Sequence, residues 1–144
     1  MKKYFDACAL GNRASVVAIV NSHSRAECIT SHLAIGEALS NLIVKGESEE
    51  ACKQFVMLIH TLHRERKLEI VQHDDVLVCC DTLLSDIKER LGRIDGTDAI
   101  HIAMAIKKKC NEIVTSDQDI IGNRGKLIML AAENGLSDFG VHQI

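Results

Sequence analysis

Residues 97–117 read TDAIHIAMAIKKKCNEIVTSD. The first part has the period of a helix, with Thr97 as its predicted N-cap and lysines in its last turn, where the helix dipole favours positive charge. Residues 112–114 form a short predicted strand that stops at the polar run ending in Asp117. A helix that leads into a short strand is typical of a layered α/β domain with a mainly parallel sheet.

The same alternation continues on both sides of this stretch. Ser31 and Ser48 are predicted helix N-caps, and Gly46 is a natural C-terminal cap between them. Helices are predicted at 13–21, 32–45, 49–66, 74–91 and from residue 97 onward. Strands are predicted at 3–5, 27–30, 68–71, 112–114 and 126–130. We therefore expect residues 1–144 to form one three-layer α/β/α domain with a central, mainly parallel sheet.

Composition narrows the class of protein. The 144 residues are 47% hydrophobic and 26% charged, with a formal net charge of −3. This charge excludes a protein that coats nucleic acid by bulk positive charge, and three Phe, one Tyr and no Trp argue against base-stacking platforms. No signal pattern or membrane-length apolar run is seen, so we expect a cytoplasmic protein without a membrane partner. The six scattered cysteines show no zinc spacing and are expected to be reduced.

Two acids directly follow predicted strands. Asp6 comes after Tyr4-Phe5, and Asp117 comes after the strand at 112–114. The carboxyl ends of the strands in an open parallel sheet border the ligand crevice. We therefore expect both carboxylates at the same edge of the sheet.

Two further acids lie within apolar helical faces. Glu37 is surrounded by residues that should face the core, and Asp98 opens a helix at the edge of a buried stripe that also carries His101. Asp95, three residues before Asp98, is the other acid of this segment that could be taken for the functional carboxylate. His101 is interpreted as a structural helix residue rather than a catalytic base.

Four carboxylates that meet in space repel one another unless a positive charge lies between them. Oxygen ligands without paired His or Cys suit a hard divalent cation such as Mg²⁺ or Mn²⁺ and argue against zinc. One or two such ions can lower the pKa of a bound water and hold a scissile phosphate.

Four segments, taken in order, resemble the PIN-domain nucleases. They are YFDACAL (4–10), SHLAIGEALSNLI (31–43), DAIHIAMAIKKK (98–109) and EIVTSDQDI (112–120). The resemblance implies an endoribonuclease that cleaves single-stranded RNA with Mg²⁺ or Mn²⁺. The family includes the toxins of VapBC-type toxin–antitoxin pairs and RNA-maturation enzymes, and many members are homodimers. A homodimer and an antitoxin partner are therefore expected from the resemblance.

The resemblance also implies roles for individual residues. Asp6, Glu37, Asp98 and Asp117 match the metal-binding and catalytic acids of the family. Thr115 matches the hydroxyl residue of the TxD motif, where it would orient an acid or contact a metal-bound water. Asp119 resembles an additional metal-binding acid of some members. Cys8 stands where the family often has Ser, Thr or Asn.

Two other functions remain open from the sequence. One is a PIN-like domain that binds RNA or protein without cleaving it. The other is a Mg²⁺-dependent phosphohydrolase that uses a strand-end Asp as nucleophile. Among the basic groups, residues 107–109 and the segment 64–67 are predicted mainly as solvated helix ends, with RNA phosphate binding as the lesser alternative.

Overall fold

Five parallel strands form the central sheet of this α/β domain. The structure is a computed structural model that describes residues 1–23, 27–72, 74, 76 and 82–144. The strand order is β3-β2-β1-β4-β5, and every neighbouring pair is parallel. The strands are β1 (Lys3–Phe5), β2 (Cys28–Ser31), β3 (Glu69–Val71), β4 (Glu112–Thr115) and β5 (Gly140–Gln143).

Eight helices are bounded within the described residues. They are α1 (Ala7–Leu10), α2 (Arg13–Val20), α3 (His32–Val44), α4 (Glu49–Arg64), α5 (Leu83–Arg90), α6 (Gly96–Lys107), α7 (Gln118–Gly122) and α8 (Arg124–Glu133). Of the helix predicted at 74–91, the segment Leu83–Arg90 is confirmed; residues 73, 75 and 77–81 lie outside the described residues, Cys79 and Cys80 among them. The other four cysteines are free thiols.

The helices cover both faces of the sheet because successive strand residues point to opposite sides. Tyr4 and Ile113 belong to a buried cluster with α5, α6, α7 and α8. Phe5 and Val114 belong to a second cluster with α1, α2, α3 and α4. This arrangement confirms the predicted three-layer α/β/α architecture with a parallel sheet.

Local capping signals at α3 and α4 are confirmed. Ser31 Oγ accepts a hydrogen bond from the Ala34 N–H at 3.0 Å, and Ser48 Oγ accepts one from the Ala51 N–H at 3.1 Å. Gly46 has φ of 77°, in the left-handed region that a glycine adopts at little cost just after a helix. Ser31 therefore defines the start of α3, and Gly46 and Ser48 define the α3–α4 connection.

The strand predicted at 126–130 was wrong. These residues lie in α8, where Leu127, Leu130 and Ala131 are buried at helical spacing. The fifth strand is Gly140–Gln143, in which Val141 alone is buried. A short edge strand with so little apolar patterning gives a weak sequence signal, and the apolar run before it drew the prediction away.

The strand order places a crevice between β1 and β4. The chain runs from β1 outward through β2 to β3, then returns to β4 beside β1 and continues outward to β5. In such doubly wound sheets, ligands bind at the carboxyl ends of the two strands where the order reverses. Asp6 and Asp117 follow these two strands.

In the described parts of the chain, no helix combines the length and apolar character needed to cross a bilayer.

Candidate metal centre

A polar pocket of about 350 Å³ opens at the carboxyl ends of β1 and β4. Its wall contains the four acids singled out in the sequence: Asp6, Glu37, Asp98 and Asp117. These residues come from the ends of two strands and from two helices, and the sequence separates the first from the last by more than 100 residues. The structure therefore brings them to one pocket, while their roles in metal binding and catalysis remain predictions.

Asp6 and Asp117 are oriented by the helices that they precede. Asp6 Oδ1 accepts a hydrogen bond from the Ala9 N–H at 2.9 Å and caps α1. Asp117 Oδ1 accepts hydrogen bonds from the N–H groups of Asp119 at 2.8 Å and Ile120 at 3.2 Å and caps α7. Each side chain is thus fixed through one of its oxygens.

Thr115 connects these two acids beneath the pocket. It is fully buried, and its Oγ1 accepts a hydrogen bond from the Asp117 N–H at 2.9 Å. Burial raises the pKa of Asp6, while hydrogen bonds from the Thr115 side chain and the Ala9 N–H oppose this shift. The buried hydroxyl therefore orients acids, and the pocket wall itself does not contain Thr115.

The start of α6 differs from the prediction. Asp95, and not Thr97, is the N-cap: its Oδ1 accepts hydrogen bonds from the Asp98 N–H at 2.8 Å and the Thr97 hydroxyl at 2.9 Å. A carboxylate caps a helix as well as a threonine does and also favours the positive end of the dipole. Asp95 and Asp98 both line the pocket, so the start of α6 brings two carboxylates to it.

Asp98 has a strongly perturbed carboxyl group. It is 9% exposed, and its pKa is raised to about 7 by burial, with the charges of Asp117 and Asp95 adding to the effect. An ionised carboxylate here lacks sufficient positive charge around it. A perturbed acid in a cleft is a typical feature of a functional site.

Glu37 is held by His101, a partner that the sequence analysis did not assign to it. His101 Nε2 lies 2.6 Å from Glu37 Oε2, and this hydrogen bond lowers the pKa of Glu37. His101 is 3% exposed and sits on the buried face of α6. The sequence signal for this contact was the position of His101 on the same helix face as Asp98. No local pattern indicates a partner 64 residues away.

Asp119 lies at the rim of the pocket. Single oxygens of Asp98, Asp117 and Asp119 lie within 4.8 Å of one another, so these three could hold one cation together. Asp119 is exposed, in contrast to the other two. The tightest group of acids among the described residues thus consists of three of the five residues that were predicted to bind metal, Asp98, Asp117 and Asp119.

Cys8 and Asn41 connect this pocket to a second hollow of about 170 Å³. Both residues line both cavities, and the hollow extends past Ser116 to Lys45 at the end of α3. Burial raises the pKa of the Cys8 thiol, with the Asp6 charge as the next contribution, so the thiol stays protonated. Asp6 is oriented by the Ala9 N–H and by Thr115, as described above, and not by Cys8.

The lysines of residues 107–109 lie at the opposite edge of the sheet. α6 begins at the pocket, and its 12 residues span roughly 18 Å. Lys108 Nζ is 3.5 Å from Glu69 at the start of β3. The segment 64–67 also leads into the start of β3. Neither basic group borders the acidic pocket.

A third hollow, of about 250 Å³, is apolar and lies between α2 and the sheet. Phe5, Ala18, Cys28 and Val114 are among the residues that line it. It lacks the convergence of acids that distinguishes the polar pocket. No model of a known protein family matches the chain, and no curated protein matches it either.

Proposed function

We propose that this chain is a Mg²⁺- or Mn²⁺-dependent endoribonuclease of the PIN-domain type that hydrolyses single-stranded RNA. The observation that carries the proposal is the meeting of Asp6, Glu37, Asp98 and Asp117 in one pocket at the reversal point of a parallel sheet. The pocket forms from elements spread over the whole chain. A domain has little structural reason to gather four acids, because their repulsion opposes folding.

The residues present suit a hard divalent cation. Asp98, Asp117 and Asp119 are the closest set of oxygen ligands, and Asp6 and Glu37 complete the wall around them. When bound, the cation lowers the pKa of a water and neutralises charge on the scissile phosphate. The protein side chains hold the ligand oxygens in place: backbone N–H groups fix Asp6 and Asp117, and His101 fixes Glu37.

The hollow towards Lys45 suits a nucleic-acid strand that continues past the reaction centre. A phosphate is repelled by the acids wherever no cation neutralises them, so a neighbouring phosphate needs a positive partner. Lys45 supplies one beyond Asn41. An extended single strand fits this path, since it exposes successive phosphates along one groove.

Two partners are proposed for the protein in the cytoplasm. One is a second copy of the chain, which would form a homodimer, and the other is an antitoxin protein. Exposed apolar side chains on α3 and α4, namely Ile43, Val44 and Met57, form the candidate surface for a second copy. Sedimentation of the purified protein tests the homodimer. A toxin role requires a neighbouring gene for a small antitoxin, and co-purification of its product tests that role.

The proposed activity is tested with Asp98→Asn and a matched control, Asp138→Asn. Asp138 is exposed, lies just before β5 and pairs with Asn111 at the opposite edge of the sheet. We expect the wild type and Asp138→Asn to cleave single-stranded RNA only with added Mg²⁺ or Mn²⁺. Asp98→Asn should fold and lose nearly all activity.

The outcomes separate the alternatives. RNA binding without cleavage in any metal would select the PIN-like binding module. Hydrolysis of small phosphoesters but not RNA would select the phosphohydrolase. Equal cleavage by the wild type and Asp98→Asn would contradict the proposed centre.

A further inference from the structure

A buried chain of hydrogen bonds runs behind the acidic pocket and ends on Glu37. Ser31 Oγ lies 2.9 Å from the Tyr4 hydroxyl, which lies 2.8 Å from His101 Nδ1. His101 Nε2 then lies 2.6 Å from Glu37 Oε2. Ser31 and Tyr4 are fully buried and His101 is 3% exposed, whereas Glu37 is half-buried and borders the pocket.

The direction of the last bond follows from the groups involved. An ionised Glu37 can only accept, so the Nε2 atom of His101 must carry the hydrogen. With a neutral ring, Nδ1 then accepts from the Tyr4 hydroxyl, whose oxygen accepts from Ser31. With a charged ring, the bond to Tyr4 reverses, but Nε2–H still donates to Glu37. The hold on Glu37 therefore does not depend on the charge of His101.

The chain of hydrogen bonds joins four elements of the domain. Tyr4 belongs to β1, Ser31 ends β2 and caps α3, His101 belongs to α6, and Glu37 belongs to α3. A glutamate side chain has several rotatable bonds and loses more freedom than an aspartate when it is fixed. An unheld Glu37 would have to be ordered each time that it bound a ligand.

We infer that His101, backed by Tyr4, is a positioning residue that holds Glu37 ready for a divalent cation. The inference rests on the proposed function only in taking the pocket to bind such an ion. Groups that orient metal ligands from behind typically contribute 10- to 100-fold to metal affinity. The buried pair thus sets the affinity of the site through its hold on Glu37.

Calorimetric Mn²⁺ titration of the metal-free protein tests the inference without requiring cleavage. We expect His101→Leu to weaken Mn²⁺ binding by about 10- to 100-fold. His101→Gln, whose amide nitrogen can reach the position of Nε2, should restore most of the affinity. Exposed His60, on α4, gives the matched control: His60→Leu should bind Mn²⁺ like the wild type. Tyr4→Phe, which removes a single hydroxyl, should weaken binding in the same direction and serves if His101→Leu does not fold.

A double-mutant cycle separates positioning from a general loss of structure. If His101 acts through Glu37, the loss caused by His101→Leu should largely disappear in a Glu37→Ala background. Additive losses, or unchanged Mn²⁺ affinity in both His101→Leu and Tyr4→Phe, would overturn the inference while leaving the proposed nuclease intact. A wild type that binds Mn²⁺ but leaves RNA uncut would overturn the nuclease and leave the inference standing. A wild type that binds no Mn²⁺ would overturn both.

Discussion

Replacing Asp98 by asparagine should stabilise the metal-free protein at neutral pH even as it removes activity. Burial and neighbouring acids raise the pKa of Asp98 from 3.8 to about 7. The folded protein therefore holds this proton more tightly than the unfolded chain does. Between about pH 4 and pH 7, Asp98 ionises in the unfolded chain but stays protonated in the folded protein. The free energy of unfolding therefore falls as pH rises through this window. An uncharged asparagine of the same shape avoids that loss.

The size of the effect follows from the pKa shift. Each pKa unit corresponds to about 1.36 kcal/mol, so the shift sets an upper limit of roughly 4 kcal/mol. The pocket is open to water, which screens the charges, and we expect about 1–2 kcal/mol in practice. For a domain of this size, each kcal/mol corresponds to a change in Tm of roughly 2–4 °C.

Urea unfolding at several pH values in EDTA measures this prediction. Asp98→Asn and the wild type should be equally stable below pH 4, and the variant should be more stable above pH 7. Asp138→Asn should show no such divergence. Saturating Mn²⁺ should then reverse the order, since ligand at 100 times its Kd adds about 2.7 kcal/mol to a protein that binds it. A variant less stable than the wild type at pH 8 in EDTA would refute the reasoning, because Asp98 would then be a structural acid.

Three further substitutions test the surroundings of the pocket. Thr115→Val should destabilise the protein by about 1–3 kcal/mol in urea unfolding, because it leaves the buried Asp117 N–H without an acceptor and removes a hydrogen bond to Asp6. Lys45→Gln should raise KM for RNA by about two- to fivefold with little change in kcat. It should also reduce the slope of log KM against log salt by about 0.7, the contribution of one phosphate contact to a single strand; an unchanged slope would remove Lys45 from the RNA path. Asp119→Asn should weaken Mn²⁺ binding less than Asp117→Asn in calorimetry, because Asp119 is exposed; the opposite order would make Asp119 the principal ligand.

The sequence predicted the architecture well where its signals are local. Serine caps, a glycine stop and the alternation of strands with helices all act within a few residues, and they placed α3, α4 and the first four strands. The strand at 140–143 was missed because its pairing with β4 comes from distant residues. The shift of the α6 cap from Thr97 to Asp95 reflects two good capping residues that compete within one turn.

The candidate site was predictable only in part. Asp6 and Asp117 follow strands, so the rules for parallel sheets predict from the sequence that both lie at one edge. The bond between His101 and Glu37 joins residues 64 positions apart, and no local pattern encodes it. Reading His101 simply as a structural residue therefore left out its contact with a pocket acid. The RNA-contact hypothesis for residues 107–109 likewise needed the direction of α6, which places them away from the pocket.

The acids of the pocket differ in how far neighbouring groups compensate their negative charge. Asp6 and Asp117 accept backbone N–H groups, and Glu37 accepts a ring N–H, so part of their charge is compensated without any cation. At Asp98 and at Asp6, however, burial outweighs the groups that favour the charge, and at Asp98 the acidic neighbours add to the effect. A protein whose acids were all compensated would gain little from a cation, and one with none compensated would need the metal to fold. With acids held by hydrogen bonds beside acids whose charge is incompletely compensated, the domain can fold without metal while keeping positions where a cation is stabilising. Asp98, whose pKa is raised to about 7, is accordingly a residue at which stability and the proposed activity oppose each other.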